Sequence, residues 1–444
     1  MANSGLRIAW FSDLSARRSE SLSTYCTRLL VPELTKRHAI EIFTDDATAT
    51  GESAAFGAPV LNYLNAYKRH RDAPFDIFFY QLEDSRACRF IRGHIGLVPG
   101  VVWVHDLFCN DLGPEACHTS PWEHTIRQYF DAALDFSDRS KAPHQLWPRA
   151  FRETSLCPVV LFSSPWAQSE FKRMVSNRLE SGDGLHHSAV LPAPVEAVST
   201  FYRPVEGPFN IATTSVPGIE GRSHKVLPSL HKLKGDWHLT WMIDPHELRS
   251  AQELVSEFEI PQERVTFVVE RSVTKWANIV GASHVALHLH TSPFGHLAPF
   301  IQLSLGCGTP AVVARLAQGE DFPDDVVFGI TPGLHEAAEL QAVFEELMSE
   351  RARQQISGGY GALGARYISE TSGLAVVADR LSQTLSEAAP HVSYVMGRWQ
   401  AISRRAGGAL LNEVRDLVSA GNREVVSAYD SVIAPAVKEL GWGV

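Results

Sequence analysis

No apolar run in the 444-residue chain approaches the roughly 20 residues that a helix needs to cross a bilayer, which excludes a helical membrane span. The N-terminus passes from Met-Ala-Asn-Ser-Gly directly into a strand-like run, Leu6 to Phe11, without a basic leader and apolar core, so no classical export signal is expected. Basic residues are too few for a nucleic-acid partner: 40 Lys and Arg against 50 Asp and Glu give a formal charge of −10, which opposes a phosphate backbone. Six cysteines (Cys26, Cys88, Cys109, Cys117, Cys157, Cys307) are scattered, with no C-x-x-C pair and no clustered Cys/His spacing. They read as reduced thiols of a cytosolic chain, and neither a bound metal nor a cofactor is expected. His186-His187 has no third ligand at a characteristic spacing. A further absence is local: between Glu270 and Glu320 there is no Asp or Glu at all.

What is present is an ordinary folding composition, 45% hydrophobic and 20% charged, long enough for two large domains. Short β-rich apolar runs alternate with apolar-periodic helical stretches, the pattern of buried parallel strands with crossover helices. In the first half the strands are Ile8 to Phe11, Ile40 to Phe43, Phe75 to Tyr80, Val101 to Val104, Val159 to Ser164 and Ala189 to Pro192. Residues 192–208 carry prolines at 192, 194, 204 and 208 and read as a linker. The second half restarts with Phe209 to Thr213, and strands are expected at His238 to Ile243, Val265 to Val269, Val285 to Leu289 and Ala311 to Val313. Helical spacing covers His335 to Glu350, Tyr367 to Glu387 and much of the segment after Val392. The expected fold is α/β with two Rossmann-like domains, 1–195 and 209–385, and a helical segment 386–444 whose apolar stripe packs on the first domain or serves a homodimer or other partner.

Three places carry chemistry. The stretch from Val285 to Val313 is strand, Pro-Phe-Gly turn, helix and second strand, the arrangement by which α/β sheets hold anions or nucleotides at a helix start. The loop Gly218 to Lys225 places glycines and the cations Arg222 and Lys225 just before a helix, which suits a phosphate. His105-Asp106 follows the strand Val101 to Val104, and C-terminal strand ends line the crevice of such sheets.

Tyr80-Gln81, Pro99 to Asp106, Phe294-Gly295 and Cys307-Gly308-Thr309-Pro310, in that order and spacing, resemble the retaining GT-B glycosyltransferases of family four. The resemblance covers about residues 6 to 385. It implies two facing Rossmann-like domains and transfer of a sugar from a nucleotide-diphosphate donor, without metal, to a glycan, lipid-linked or protein acceptor. It places catalytic residues at His105 and Asp106, and donor contacts at Arg222 (Lys225 as runner-up), Arg271, Gly295, His296, Leu297, Ala298 and Gln302. Ser19, Glu20 and Ser21 fall on the acceptor-side loop, and the insertion Asp111 to Thr154, with a helix at Trp122 to Leu134, falls where acceptor choice is set. The family's motif glutamates would lie at His296, or at Gly295 and Leu303, and in both registers they are replaced. An enzyme of this kind would be cytoplasmic, or peripheral at the inner face of the membrane. The same replacement leaves open a non-catalytic GT-B protein that scaffolds a partner glycosyltransferase.

Overall fold

The computed structural model describes residues 5–14, 21–46, 49, 53–83, 85–107, 154, 157–176, 187–196, 206–218, 221–270, 272–290, 297–349, 356 and 359–419. The expected insertion at 111–154 and its helix at Trp122 to Leu134 lie almost wholly outside them. The first domain is built on strands β1 (Arg7–Phe11), β2 (Ala39–Thr44), β3 (Val60–Asn62), β4 (Ile77–Leu82), β5 (Val101–Val104), β6 (Val159–Phe162) and β7 (His187–Val190). They form one parallel sheet in the order β3-β2-β1-β4-β5-β6-β7. The second domain repeats the plan with β8 (Phe209–Thr213), β9 (Trp237–Ile243), β10 (Val265–Val269), β11 (Val285–His288), β12 (Ala311–Ala314) and β13 (Phe328–Ile330). Their order is β10-β9-β8-β11-β12-β13, again parallel throughout. In each sheet the winding reverses beside the first strand, between β1 and β4 and between β8 and β11, so each has its crevice at those C-terminal ends. The short edge strands β3 and β13 have little apolar sequence and were not expected from the pattern.

Helices of the first domain are α1 (Leu22–Leu34), α2 (Ser53–Phe56), α3 (Ala66–Asp72), α4 (Arg89–Leu97) and α5 (Pro165–Ser176). Those of the second are α6 (Ser223–Lys232), α7 (Leu248–Glu257), α8 (Val273–Gly281), α9 (Leu297–Gly306), α10 (Glu336–Met348) and α11 (Tyr360–Thr371), followed by α12 (Leu374–Ser419). Central strands such as β5, β6, β11 and β12 are buried at every residue, which is why they read as unbroken apolar runs instead of alternating ones.

The Cys307-Gly308-Thr309-Pro310 stretch owes its composition to the end of α9. Gly308 sits at φ +68°, Thr309 N–H donates to Ser304 O at 2.9 Å and Gly308 N–H to Leu305 O at 2.9 Å. These are the paired bonds of a Schellman cap, with the following proline barring further helix. Thr309 Oγ1 then donates to Val280 O at 2.7 Å, fastening the capped end to α8.

The linker enters the second domain's helical layer as an extended segment. Val195 N–H donates to Ser372 O at 2.7 Å, and Leu374 N–H donates back to Val195 O at 3.0 Å. This insertion corrects the expected continuous helix over Tyr367 to Glu387: the chain breaks at Ser372-Gly373, between α11 and α12, because those backbone groups pair with Val195. From Leu374, α12 runs 46 residues, straight through the position expected to separate domain from tail. It buries Val377, Leu381, Leu385, Val392 and Met396 at helical spacing, packing across α1, β4 and β5 of the first domain. His38 fastens it there. Leu6 N–H donates to His38 Nδ1 at 3.2 Å, so the proton is on Nε2, which donates to Ser382 Oγ at 2.7 Å. Burial, then Arg37, holds the His38 pKa below its ordinary value.

Two outcomes follow from these contacts. Gly308→Ala should lower stability by about 1 to 2 kcal/mol, the cost of a Cβ in the left-handed region, measured by urea unfolding. Glu41 bridges Arg7 at 2.6 Å and Arg69 at 2.7 Å; burial pushes its pKa up, but the two guanidinium bonds outweigh burial and leave it lowered. That contribution is present above the carboxylate's unfolded pKa and is lost as pH falls through the folded one. The stability gap between wild type and Glu41→Gln should therefore be widest near neutral pH and close on acidification.

Candidate functional site

On the first domain's crevice edge a chain of buried polar side chains links four elements. Ser12 follows β1, Gln81 lies in β4, His105 follows β5 and Ser163 follows β6. Gln81 Nε2 donates to Thr27 Oγ1 at 2.6 Å, Ser12 Oγ at 3.2 Å and the Ser23 carbonyl at 3.3 Å. With its nitrogen so committed, its oxygen faces His105 Nε2 at 3.0 Å and accepts a proton from it. His105 Nδ1 lies 3.1 Å from the Ser163 hydroxyl, which is also within 3.5 Å of the Val104 carbonyl. The imidazole is 2% exposed, has a partner at both nitrogens and packs on Trp103 at 4.4 Å between ring centroids. Proton transfer by this ring would require breaking the network. Asp106, beside it, is also buried.

Gln81 joins this histidine to the start of α1. Ser21 is the helix cap, its Oγ accepting from Thr24 N–H at 3.0 Å, while Ser23 N–H donates to the buried Glu83 carboxylate at 2.8 Å. Anions are favoured at a helix N-terminus, and here the protein supplies its own. Of the acceptor-side candidates, the structure places Ser21 at this cap; Ser19 and Glu20 lie outside the described residues.

On the facing domain, the loop after β8 closes tightly: an added Cβ on Gly221 would meet Val216 O at 1.8 Å. Gly218 N–H donates to Ser223 Oγ at 3.3 Å, and Ser215, Gly221, Ser223 and Trp241 help to line a small cavity under the loop. Arg222 precedes α6 with φ 57°, and its guanidinium makes a two-pronged ion pair with Glu336 at the start of α10. Glu336 is fully buried. The cation chosen from the sequence for a phosphate is thus matched by an internal carboxylate. Lys225, one turn on, makes no ion pair or side-chain hydrogen bond among the described residues, and its backbone N–H donates to Arg222 O at 2.8 Å. Beside it, burial first, then Lys225 and Arg222, lower the pKa of His224. The sequence carries no signal for Glu336 as the partner, since 114 positions separate it from Arg222.

Arg271, Gly295 and His296 lie outside the described residues, and Leu297 and Ala298 form the first turn of α9. Gln302 is 6% exposed on α9, and its Oε1 has no partner among the described residues. A residue the sequence reading passed over is His288, the last of β11. Ser304 Oγ donates to Phe300 O at 2.8 Å, so at 3.0 Å it accepts from His288 Nε2; Nδ1 has no partner among the described residues. Burial, then His290, pull its pKa down to about 3, which keeps the ring neutral. Among the described residues no group of three or more His, Cys, Asp or Glu is placed to hold a metal, and no helix is long and apolar enough to cross a membrane.

Neither a family model nor a curated protein matches the sequence. Solved structures do. HepE from Anabaena, in complex with UDP and glucose, aligns over 86% of this chain and 100% of its own, at 15% identity and a TM-score of 0.57. Sucrose-phosphate synthase from Thermosynechococcus elongatus aligns over 86% and 98%, at 14% identity and 0.57. A glycosyltransferase from Rickettsia africae aligns over the same shares, at 11% identity and 0.57. Identities this low carry the fold and nothing finer. Two parallel doubly wound sheets, a proline-bearing linker and a final helix returning to the first domain give this chain the GT-B architecture.

Proposed function

We propose that this protein transfers a sugar from a nucleotide-diphosphate donor to a glycan, lipid-linked or protein acceptor, with retention of configuration, as a family-four type enzyme. The observation that carries the reading is the fold alignment over nearly the whole of HepE, a protein solved with UDP-glucose, together with a cation at the start of α6 on the crevice side. Departure of the diphosphate is the largest change of charge in such a reaction, and fixed cations and helix N–H groups aimed at it lower the barrier. In this reading Lys225 and the first turn of α6 receive the diphosphate. Arg222, held by Glu336, orients the loop. The His105 ring, satisfied on both sides, fixes the backbone at the end of β5, next to Asp106. Sugar recognition falls to the start of α9, with Gln302 as its buried amide. The donor-site residues Arg271, Gly295, His296, Leu297 and Ala298 and the acceptor-side Ser19 and Glu20 remain part of this proposal on the strength of the resemblance.

One observation favours a second reading, a non-catalytic GT-B protein that scaffolds a partner glycosyltransferase. The guanidinium at α6 and the N-terminus of α1 are both matched by the protein's own carboxylates, Glu336 and Glu83.

Calorimetry with a panel of nucleoside diphosphates and nucleotide sugars separates the two. Binding is expected, and Lys225→Ala should weaken it by about tenfold, or roughly 1.4 kcal/mol. Arg222→Met should act on stability instead, since a buried carboxylate stripped of its partner costs about 3 to 5 kcal/mol. The double variant Arg222→Met/Glu336→Gln should recover much of that loss and still bind nucleotide. No binding to any member of the panel at millimolar concentration would sink the transferase reading.

A further inference from the structure

Four strands border the two sheets. β3 and β13 are three residues long, and β7 opens on the exposed His187 and Ser188; short or polar edges resist pairing with another chain. β10 is different. It runs five residues, Val-Thr-Phe-Val-Val, without a charge, a proline or a glycine, and it pairs with β9 on one side. Among the described residues, its backbone groups on the other side bond to no element. The side chains share that exposure. Val269 is 39% exposed, Thr266 is exposed, and Val265, Phe267 and Val268 are half-buried, whereas neighbouring β9 is buried at five of its seven positions.

The residues that flank this run choose its partner. Arg264 precedes it and Glu270 follows it, each three positions from Phe267 and each half-buried. A second copy laid antiparallel, with Phe267 on the two-fold axis, sets Val265 opposite Val269 and Thr266 opposite Val268. It also sets Arg264 of each chain opposite Glu270 of the other. Outward backbone groups recur at every second residue, so the copies slide only by two residues at a time. A slide in one direction moves Arg264 onto Val268 and Glu270 onto Gln262; in the other it moves them onto Ser272 and Thr266. A parallel pair in register would stack like charge on like. Within its own chain Arg264 lies over the Trp237 ring at 5.0 Å and donates to the Gly235 carbonyl at 3.2 Å, and Glu270 pairs with Lys275, both half-exposed. Such surface contacts are weak, and a guanidinium has further N–H groups to offer.

We propose that β10 is a homodimer interface: two copies of this chain pair antiparallel along β10 about a two-fold axis at Phe267, joining their second-domain sheets into one. The pairing satisfies the edge groups of both copies, and the two-fold closes the contact so that no third copy adds to it. Five residues span about 17 Å, and a contact of this size belongs with weak, transient interfaces. The dimer is therefore expected to form in the micromolar range. This inference rests on the sheet edge and not on the transferase reading.

Sedimentation velocity of the full chain, from micromolar to submillimolar concentration, tests it. The wild type is expected to pass from monomer to dimer across that range. Arg264→Glu and Glu270→Arg should each weaken the dimer by about tenfold, because each sets like charges opposite one another at both ends of the pair. The double variant Arg264→Glu/Glu270→Arg restores opposite signs across the axis and should recover the wild-type dimer, although the contacts to Trp237 and Lys275 within the chain stay broken. That recovery separates pairing between copies from damage within one. Amide hydrogen exchange over 265–269 should slow with rising concentration in the wild type and the double variant. A monomer throughout the range, a dimer that both single variants leave unchanged, exchange over 265–269 that ignores concentration, or a double variant no better than the singles overturns the proposal.

Discussion

Parallel strand pairing is the constraint on which everything else in this molecule depends. A parallel sheet can be closed only by crossovers, and right-handed crossovers deliver every strand end to one edge. Both sheets are parallel throughout, and each reverses its winding beside its first strand. The result is two rows of strand ends, Ser12, Glu83, His105 and Ser163 in one domain and Thr214, Leu289 and Arg315 in the other. Chemistry in a fold of this kind is confined to these rows and the loops that leave them.

The rows are polar and buried at once, and burial without partners is costly. In the first domain and at Arg222 the protein meets that cost with internal partners. Trp10, Thr27, Ser12, Gln81, His105 and Ser163 form a continuous hydrogen-bonded chain, Glu83 takes an amide of α1, and Glu336 takes Arg222. A network this closed holds the backbone at the strand ends rigidly, which suits preorganisation of a site. It also narrows the groups that can meet a ligand directly, and it moves the weight from Arg222 to Lys225 and the first turns of α6 and α9.

The two halves are joined through the linker and the last helix. Val195 pairs with the break between α11 and α12, Gly306 lets α9 approach it, with an added Cβ only 2.8 Å from Val195 Cγ1, and α12 lies across α1, β4 and β5. One apolar core consequently continues from the first sheet into α8, α9 and α12. The turn after β12 adds to this joint, since Phe322 lies in the same core as Ala167 and Phe171 of α5 and Asp321 accepts the Trp166 N–H.

The sequence by itself determined most of the architecture. Apolar β-rich runs marked the buried strands, because a strand covered on both faces has no room for polar residues, and the prolines of 192–208 marked the linker. Nearly all of these are local properties, set by the residue and its neighbours in the chain. What only the tertiary structure decided is which charges are spent. Arg222 reads as a phosphate ligand until Glu336 arrives from 114 positions away, His105 reads as a free acid or base until Gln81 and Ser163 fill both nitrogens, and the helical run from Tyr367 reads as unbroken until Val195 pairs with it. Electrostatic and hydrogen-bond partners are chosen by proximity in space, and a linear pattern carries no record of that proximity.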